Sequence, residues 1–291
     1  MALVERLIDI SFKLATGNFT ESGSDVVTVS GLRTTAQIAK AGTTAMQAHL
    51  RIYGMTLSLM NKLSTLGVQI NLLARNTVTI SAGDADTGMG IIFVGTVTMA
   101  WIDFQGMPEV AFDVSAQAGA AEAVIPTPPA SFNGAADVVT IMSGLAAKMQ
   151  LTFENSGVSG QLSNPYLPGS LVDQARACAE AGGFMWAIDN GKLAIWPRNG
   201  SRGGAIPLVS PATGMIGYPT YTAVGIMLRT LFNKSINFGG QIQVDSSLAP
   251  AKGTWAIYAI DHELESMMPN GAWFSTIGAY NPKSPQPVLA Q

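Results

Sequence analysis

A mainly β protein carrying a small α/β insert is the fold class this sequence predicts. Three observations carry that expectation. Apolar residues alternate with period two in the first and last thirds, their spacing turns helical in the centre, and a Pro-rich break separates the first third from the centre. The boundaries read as a first β-rich unit over 1–118, a linker over 119–130, an α/β module over 131–198, a second β-rich unit over 199–281 and an extended tail over 282–291.

In chain order, Ile8, Ile10, Phe12 and Leu14 alternate with Asp9, Ser11 and Lys13, and Met46, Ala48, Leu50 and Ile52 alternate with Gln47, His49, Arg51 and Tyr53. Val110, Phe112 and Val114 repeat the pattern, which describes strands with one buried face. Between them, TLSLMNKLSTLG spaces Leu57, Met60 and Leu63 as a short helix that Gly67 would stop. The Gly- and Asp-rich run from Gly83 reads as a turn between strands. Pro126, Pro128 and Pro129 mark the linker. Beyond it, Val138, Ile141, Met142, Leu145 and Met149 form a helical stripe, LTFEN a strand, and SLVDQARACAEAGG a second helix with Ser170 as N-cap. FMWAIDNGKLAIWP reads as a hairpin turning at Asn190–Gly191, with Trp186 and Trp196 closing its core. AVGIMLRTLF, NFGGQIQVDSS and KGTWAIYAIDHELESM return to strands, with Trp255 and Trp273 near turn residues, and NPKSPQPVLAQ is Pro-rich and extended. No repeat of 20–50 residues is visible.

Composition narrows the function classes. The 291 residues exceed one ordinary core, so two or three modules are expected. Charged residues make up 12%, about half the usual quarter, and the net charge is −3. Groove-reading of DNA needs clustered Lys and Arg, and no such cluster is present. A mean hydropathy of +0.27 fits either membrane insertion or extensive burial. The longest apolar stretch, Gly88–Ile102, is shorter than the roughly 20 residues a spanning helix needs and is rich in Gly, Thr and Val. Burial is therefore expected, some of it between subunits, since obligate interfaces resemble a divided core. The alternative is a monomer with a Ser/Thr/Asn-rich surface. No signal-peptide pattern opens the chain, and the single Cys178, within a helical pattern, fits a buried small apolar residue in a protein folded in the cytoplasm.

The search for chemistry yields little. His49 lies on a polar strand face; Asp261 and His262 are strand neighbours, whose side chains point to opposite faces. No G-x-S-x-G elbow, phosphate loop or dinucleotide fingerprint occurs. One Cys and two distant His residues do not make a zinc site, and Asp84 and Asp86 belong to a loop too short for calcium. Glu263 and Glu265 share one strand face, read as a solvated edge. Gly203–Gly204 after Arg202 is a weak anion-cradle signal. No catalytic residue, cofactor or metal is expected.

Several uncommon combinations stand in order along the chain: LTFENSGVSGQLSNPYLPGS, KLAIWPRNGSRGG and PLVSPATGMIGYPTYTAVGIMLRTLFN, preceded by VSGLRTTAQIAKAG and IIFVGTVTMAWID. This ordered set resembles phage tail baseplate hub proteins over most of the chain. The resemblance implies two tube-type β-barrel domains flanking the small α/β module. It also implies a homotrimeric ring with pseudo-sixfold symmetry, joining a hexameric tail tube to a central spike. Implied partners are the tail tube or distal tube protein, the central spike protein, the tape-measure protein and baseplate wedge proteins. DNA would pass the lumen without specific binding, and no membrane is involved. The location implied is the tail tip or baseplate of a virion assembled in the host cytoplasm. Structural or interface roles fall on Asn164, Pro165 and Tyr166, on Trp196 and Pro197, and on Gly217, Tyr218 and Pro219. Pro165 and Pro168 would hold an extended turn before Ser170, and Gly217–Pro219 would lead into a strand. Two other readings stand beside this one: a tail-associated hydrolase or carbohydrate-binding module, and the tip protein of a contractile injection system.

Overall fold

The computed structural model describes residues 5–19, 23–43, 46–65 and 76–282. The expected helix stop at Gly67 and all but the first residue of the expected tail lie outside the described residues.

The first β-rich part comprises β1 (Arg6–Lys13), β2 (Val26–Val29), β3 (Thr34–Ala41), β4 (Gln47–Tyr53), helix α1 (Leu57–Leu63), β5 (Thr77–Asp84), β6 (Gly88–Asp103) and β7 (Ala111–Gln117). The alternation works as its periodicity demands. Ile8, Ile10 and Phe12 of β1, Ala48, Leu50 and Ile52 of β4, and Phe112 and Val114 of β7 are all buried. Helix α1 ends at Leu63, ahead of Gly67, because the chain leaves it to bond β6: Thr65 N–H donates to the Ala100 carbonyl at 2.8 Å.

The insert holds β8 (Ala130–Ser131), β9 (Ala135–Asp137), α2 (Val138–Lys148), β10 (Thr152–Asn155), β11 (Gln161–Ser163), β12 (Tyr166–Leu167), α3 (Leu171–Gly182), β13 (Phe184–Asp189) and β14 (Lys192–Pro197). Ser170 and Asp173 cap α3 reciprocally. The hairpin between β13 and β14 turns through Asn190 and Gly191, both at positive φ (52° and 75°), as a two-residue primed turn requires. Parallel pairing of β10 with β14 completes a three-stranded sheet backed by α2 and α3.

The last part contains β15 (Leu208–Val209), β16 (Met215–Thr222), β17 (Gly225–Leu231), β18 (Gln241–Val244), β19 (Gly253–Ser266) and β20 (Trp273–Tyr280). Trp255 and Trp273 are buried strand residues that lie near turns, Trp255 at the third position of β19 and Trp273 at the first of β20.

One sheet runs through both β-rich parts, in the order β16-β17-β20-β19-β3-β4-β7-β6-β5-β1-β2, with β18 and β15 attached beside β19. Strand β3 pairs antiparallel with β19 from Thr34↔Ser266 to Ala41↔Ala259, so the two parts meet along a hydrogen-bonded seam. Lys234 Nζ adds a bond to the Gly88 carbonyl at 2.9 Å, and Arg6 Nη1 donates to the Gly271 carbonyl at 3.0 Å. No closed barrel is present among the described strands.

The two parts nevertheless share one connectivity. In the first, pairing runs β1-β5-β6-β7-β4-β3; in the last it runs β15-β18-β19-β20-β17-β16, with strands in the same chain order. The long strands β6 and β19 each carry a register shift, between Val97 and Met99 and between Ile257 and Ala259. Counting across the ladders from that shift sets Arg51 of β4 equivalent to Arg229 of β17, and Asp103 equivalent to Glu263. The same cross-strand ion pair occurs in both places, Arg51 with Asp103 at 2.5 Å and Arg229 with Glu263 at 2.7 Å. The copies differ in detail: β1 pairs antiparallel with β5, whereas β15 pairs parallel with β18, and α1 and β2 have no counterparts.

Candidate assembly surface

The chemical candidates resolve into structural contacts. His49 is exposed and shares a 3.0 Å hydrogen bond with Ser115 Oγ. His262 is buried against Phe232, 2.8 Å from Ser275 Oγ, and burial, reinforced by the Lys40 charge, pushes its pKa down to about 3. Asp84 Oδ1 accepts the backbone N–H groups of Asp86 and Thr87, closing the β5–β6 turn. Glu263 pairs with Arg229, and Glu265 accepts the Ala272 N–H. These two carboxylates do not lie on a sheet edge, because β19 is flanked by β20 and β3. The Cys178 thiol is pushed up to about 12 by burial and by the Asp137 charge. Among the described residues no group of three or more His, Cys, Asp or Glu is placed to hold a metal, and no helix is long and apolar enough to cross a membrane.

One buried polar network ties all three parts together. Asp189, 1% exposed, accepts from Lys40 Nζ of β3 at 2.7 Å and from Arg202 Nη1 at 2.7 Å. Arg202 also bonds Glu154 of β10 and the Phe238 carbonyl, while Lys40 reaches Asn190 Oδ1. Burial works to raise the Asp189 pKa, but the two cations outweigh it and hold the carboxyl below the ordinary range. Because Arg202 is committed here, Gly203–Gly204 line a cavity whose only guanidinium already has its carboxylates. The sequence signal was Lys40 itself, which shares the buried parity of Ala36 and Ile38 on β3.

The residues singled out from the motifs fall on three separate ladders. Asn164, at φ 47°, donates its N–H to the Gly134 carbonyl and accepts the Gly134 N–H on Oδ1. Pro165 accepts the Phe132 N–H, and Tyr166, 64% exposed, pairs with Ser131. Trp196 is buried and meets Phe238 edge-on, carrying the insert's core into the last part, and Pro197 pairs with Phe184 at the end of the hairpin. Gly217–Tyr218–Pro219 do not lead into a strand; they lie within β16. Between Ile216↔Arg229 and Thr220↔Met227 they oppose the single residue Leu228, a bulge that Gly217 permits at φ 69°. Pro219 is tolerated because β16 ends the sheet.

Some of the exposed apolar residues lie where the described sheet is unfinished. Strand β16 has no partner opposite β17 among the described strands, and it presents Ile216, Tyr218 and Tyr221 at 41, 65 and 57% exposure. Strand β6 pairs with β5 only as far as Thr96; beyond Val97 no described strand lies opposite β7, and Trp101 and Phe104 are 41 and 50% exposed. Sequence reading passed over Trp101, Phe104 and Tyr221, since scattered single aromatics carry no signal until a free edge is known. A surface of this kind supports strand addition and apolar packing.

The sequence matches the family described as baseplate hub gp41 over residues 8–273. No functionally curated protein matches it. Among solved structures, the fold is similar to the 43 kDa tail protein of prophage MuSo2 from Shewanella oneidensis, at 10% identity and TM-score 0.62, covering 94% of this chain and 97% of that one. A tail protein from Neisseria meningitidis aligns at 8% identity and TM-score 0.61, covering 94% and 96%. An E. coli protein described as a component of the type VI secretion system, structurally similar to the T4 tail proteins gp27 and gp5, aligns at 12% identity and TM-score 0.56, covering 89% and 77%.

Proposed function

The chain belongs to the baseplate hub gp41 family, and from that premise we propose that it is a structural hub whose three copies form a pseudo-sixfold ring between tail tube and central spike. The observation that carries the proposal is the repeated connectivity: each chain holds two six-strand units of equivalent pairing, so three chains present six. Each unit is then one open tube-type unit, and barrels close only when copies assemble. This is the arrangement needed to match a hexameric tube on one side and a threefold spike on the other. Closure also limits association, because a ring consumes the free edges that would otherwise propagate a filament.

The ring's lumen would pass the tape-measure protein and later DNA, with wedge proteins outside. With 16 Lys and Arg against 19 Asp and Glu, a neutral or acidic lining is expected, which suits a conduit that must not hold phosphate. Residues 164–166 at the insert's small ladder and 217–219 at the β16 bulge are the proposed contact points, and Trp196–Pro197 the internal support. The function is mechanical, with no catalytic residue. The likeness to a type VI component supports a second reading, the tip of a contractile injection system, which the neighbouring genes would separate from a phage tail.

Mass photometry of the purified chain at physiological salt, followed by reconstruction of tail tips, tests the proposal. A threefold ring with two equivalent units per chain is expected. A monomer in both settings, or a Lys/Arg-lined channel, would overturn the corresponding part.

A further inference from the structure

The internal seam between β19 and β3 is a template for how copies meet. By the repeat, β6 corresponds to β19 and β16 to β3. On β19, the stretch beyond the register shift pairs with β3 on the side where β18 stops. On β6, the matching stretch beyond Val97, on the side where β5 stops, has no strand among the described residues. On β3's counterpart β16, the outer edge has no described strand either. Among its described residues each chain thus carries one finished seam and two unmatched halves of a second.

We propose that β16 of one copy pairs antiparallel with the 101–103 end of β6 of the next, with Phe104 just past it, repeating the β3–β19 seam between chains. This rests on the ring reading above and names the surfaces that make it. The register follows by counting. Ile38 lies in line with Ala48, Ala116 and Val97, and Tyr221 with Ile226, Ala279 and Ile257, so Tyr221 takes the place of Ile38. In the seam Ile38 faces His262, Ala39 faces Asp261 and Gln37 faces Glu263. Between copies, Tyr221 therefore faces Ile102, Thr222 faces Trp101 and Thr220 faces Asp103. The counterpart of Leu264 is Phe104, which the register sets against the Gly217–Pro219 bulge.

Burial points the same way. Ile38 and Leu264 are 1% and 0% exposed inside the seam, whereas their counterparts Tyr221 and Phe104 are 57% and 50% exposed. Apolar side chains occupy core positions of a seam that has no partner among the described residues. A second copy is the occupant because each edge finds its complement on the same chain but not within reach of the same seam, the head-to-tail condition for a closed ring. The pairing starts at Trp101, since the Ala100 backbone N–H and carbonyl are already bonded to Thr65. Strand β2, also at a sheet end, has no counterpart in the repeat and is not used.

The test is disulfide trapping with Trp101→Cys and Thr222→Cys in one chain, oxidised under native conditions and run without reductant. Directly opposed strand residues have Cβ atoms about 4.5–5.5 Å apart, near the reach of a disulfide. A covalent trimer from the double variant, absent from each single variant and from Val26→Cys with Trp101→Cys, is expected. Tyr221→Asp should reduce the assembled fraction at least tenfold with unchanged far-UV circular dichroism. An uncrosslinked trimer that Tyr221→Asp leaves intact would overturn the pairing and leave the ring standing. Crosslinks closing at another number would keep the pairing and overturn the threefold ring. A chain that stays monomeric and uncrosslinked at high concentration would overturn both.

Discussion

Replacing Asp189 with Asn removes one charge from a place where two cations converge. Lys40 and Arg202 each stand 2.7 Å from its carboxylate, with side-chain exposures of 3% and 6%. At an effective dielectric of about 20, each such pair gains roughly 6 kcal/mol of Coulomb energy. Desolvation of the three ions, several kcal/mol apiece, offsets most of that gain. The desolvation cost remains when the anion is lost, so removing it should destabilise the fold by about 3–5 kcal/mol. Asn can still accept from Lys40, but its amide would face Arg202 donor to donor. For a chain of this size that means a melting point lower by about 10 °C at pH 7, read by scanning calorimetry. The pH dependence has a definite sign. A carboxyl held low in the fold contributes stability above its unfolded pKa of about 3.9, and that contribution fades as pH falls through the folded value. The gap between wild type and variant should therefore narrow in acid. In a cycle with Lys40→Met, the double variant should lose less than the two singles together, by about 1–3 kcal/mol. A variant within about 1 kcal/mol of wild type at pH 7 would refute the claim that this network clasps the three parts.

Three further outcomes are expected. His262, with a pKa near 3, stays neutral where the unfolded chain protonates it, so it should cost about 1.4 kcal/mol of stability per pH unit as pH falls below about 6.5. His262→Gln should flatten that slope in melting curves taken between pH 6.5 and 4, and an unchanged slope would count against it. Ser170→Ala removes one side of the α3 capping box and should cost about 1 kcal/mol, a fall of a few degrees in melting point. Limited proteolysis should cut first within 119–130, where Ala123 and Val124 are exposed, and early cuts within α2 would contradict the boundary.

The sequence by itself determined the local order. Period-two runs became strands, the stripe from Val138 to Leu145 became α2, Ser170 capped α3, and Asn190–Gly191 made the hairpin turn. These features rest on interactions within a few residues, so their signal is written in adjacent positions. The family resemblance was legible too, because it lies in ordered motifs. Only the tertiary structure decided the rest. That β3 pairs with β19, more than 200 residues away, cannot be read from either strand, since any half-buried strand offers the same hydrogen-bonding edge. The repeat stayed hidden because it is kept in pairing and register, with Arg51–Asp103 and Arg229–Glu263 as a matched side-chain pair. Lys40 was not singled out from the sequence, since its core position shows only once 34–41 is seen as a strand, and its partners Asp189 and Arg202 only once three parts converge. Gly217–Pro219 read as punctuation until the ladder with β17 showed the bulge. Side-chain periodicity reports which face of an element is buried; what buries it is a property of the folded chain.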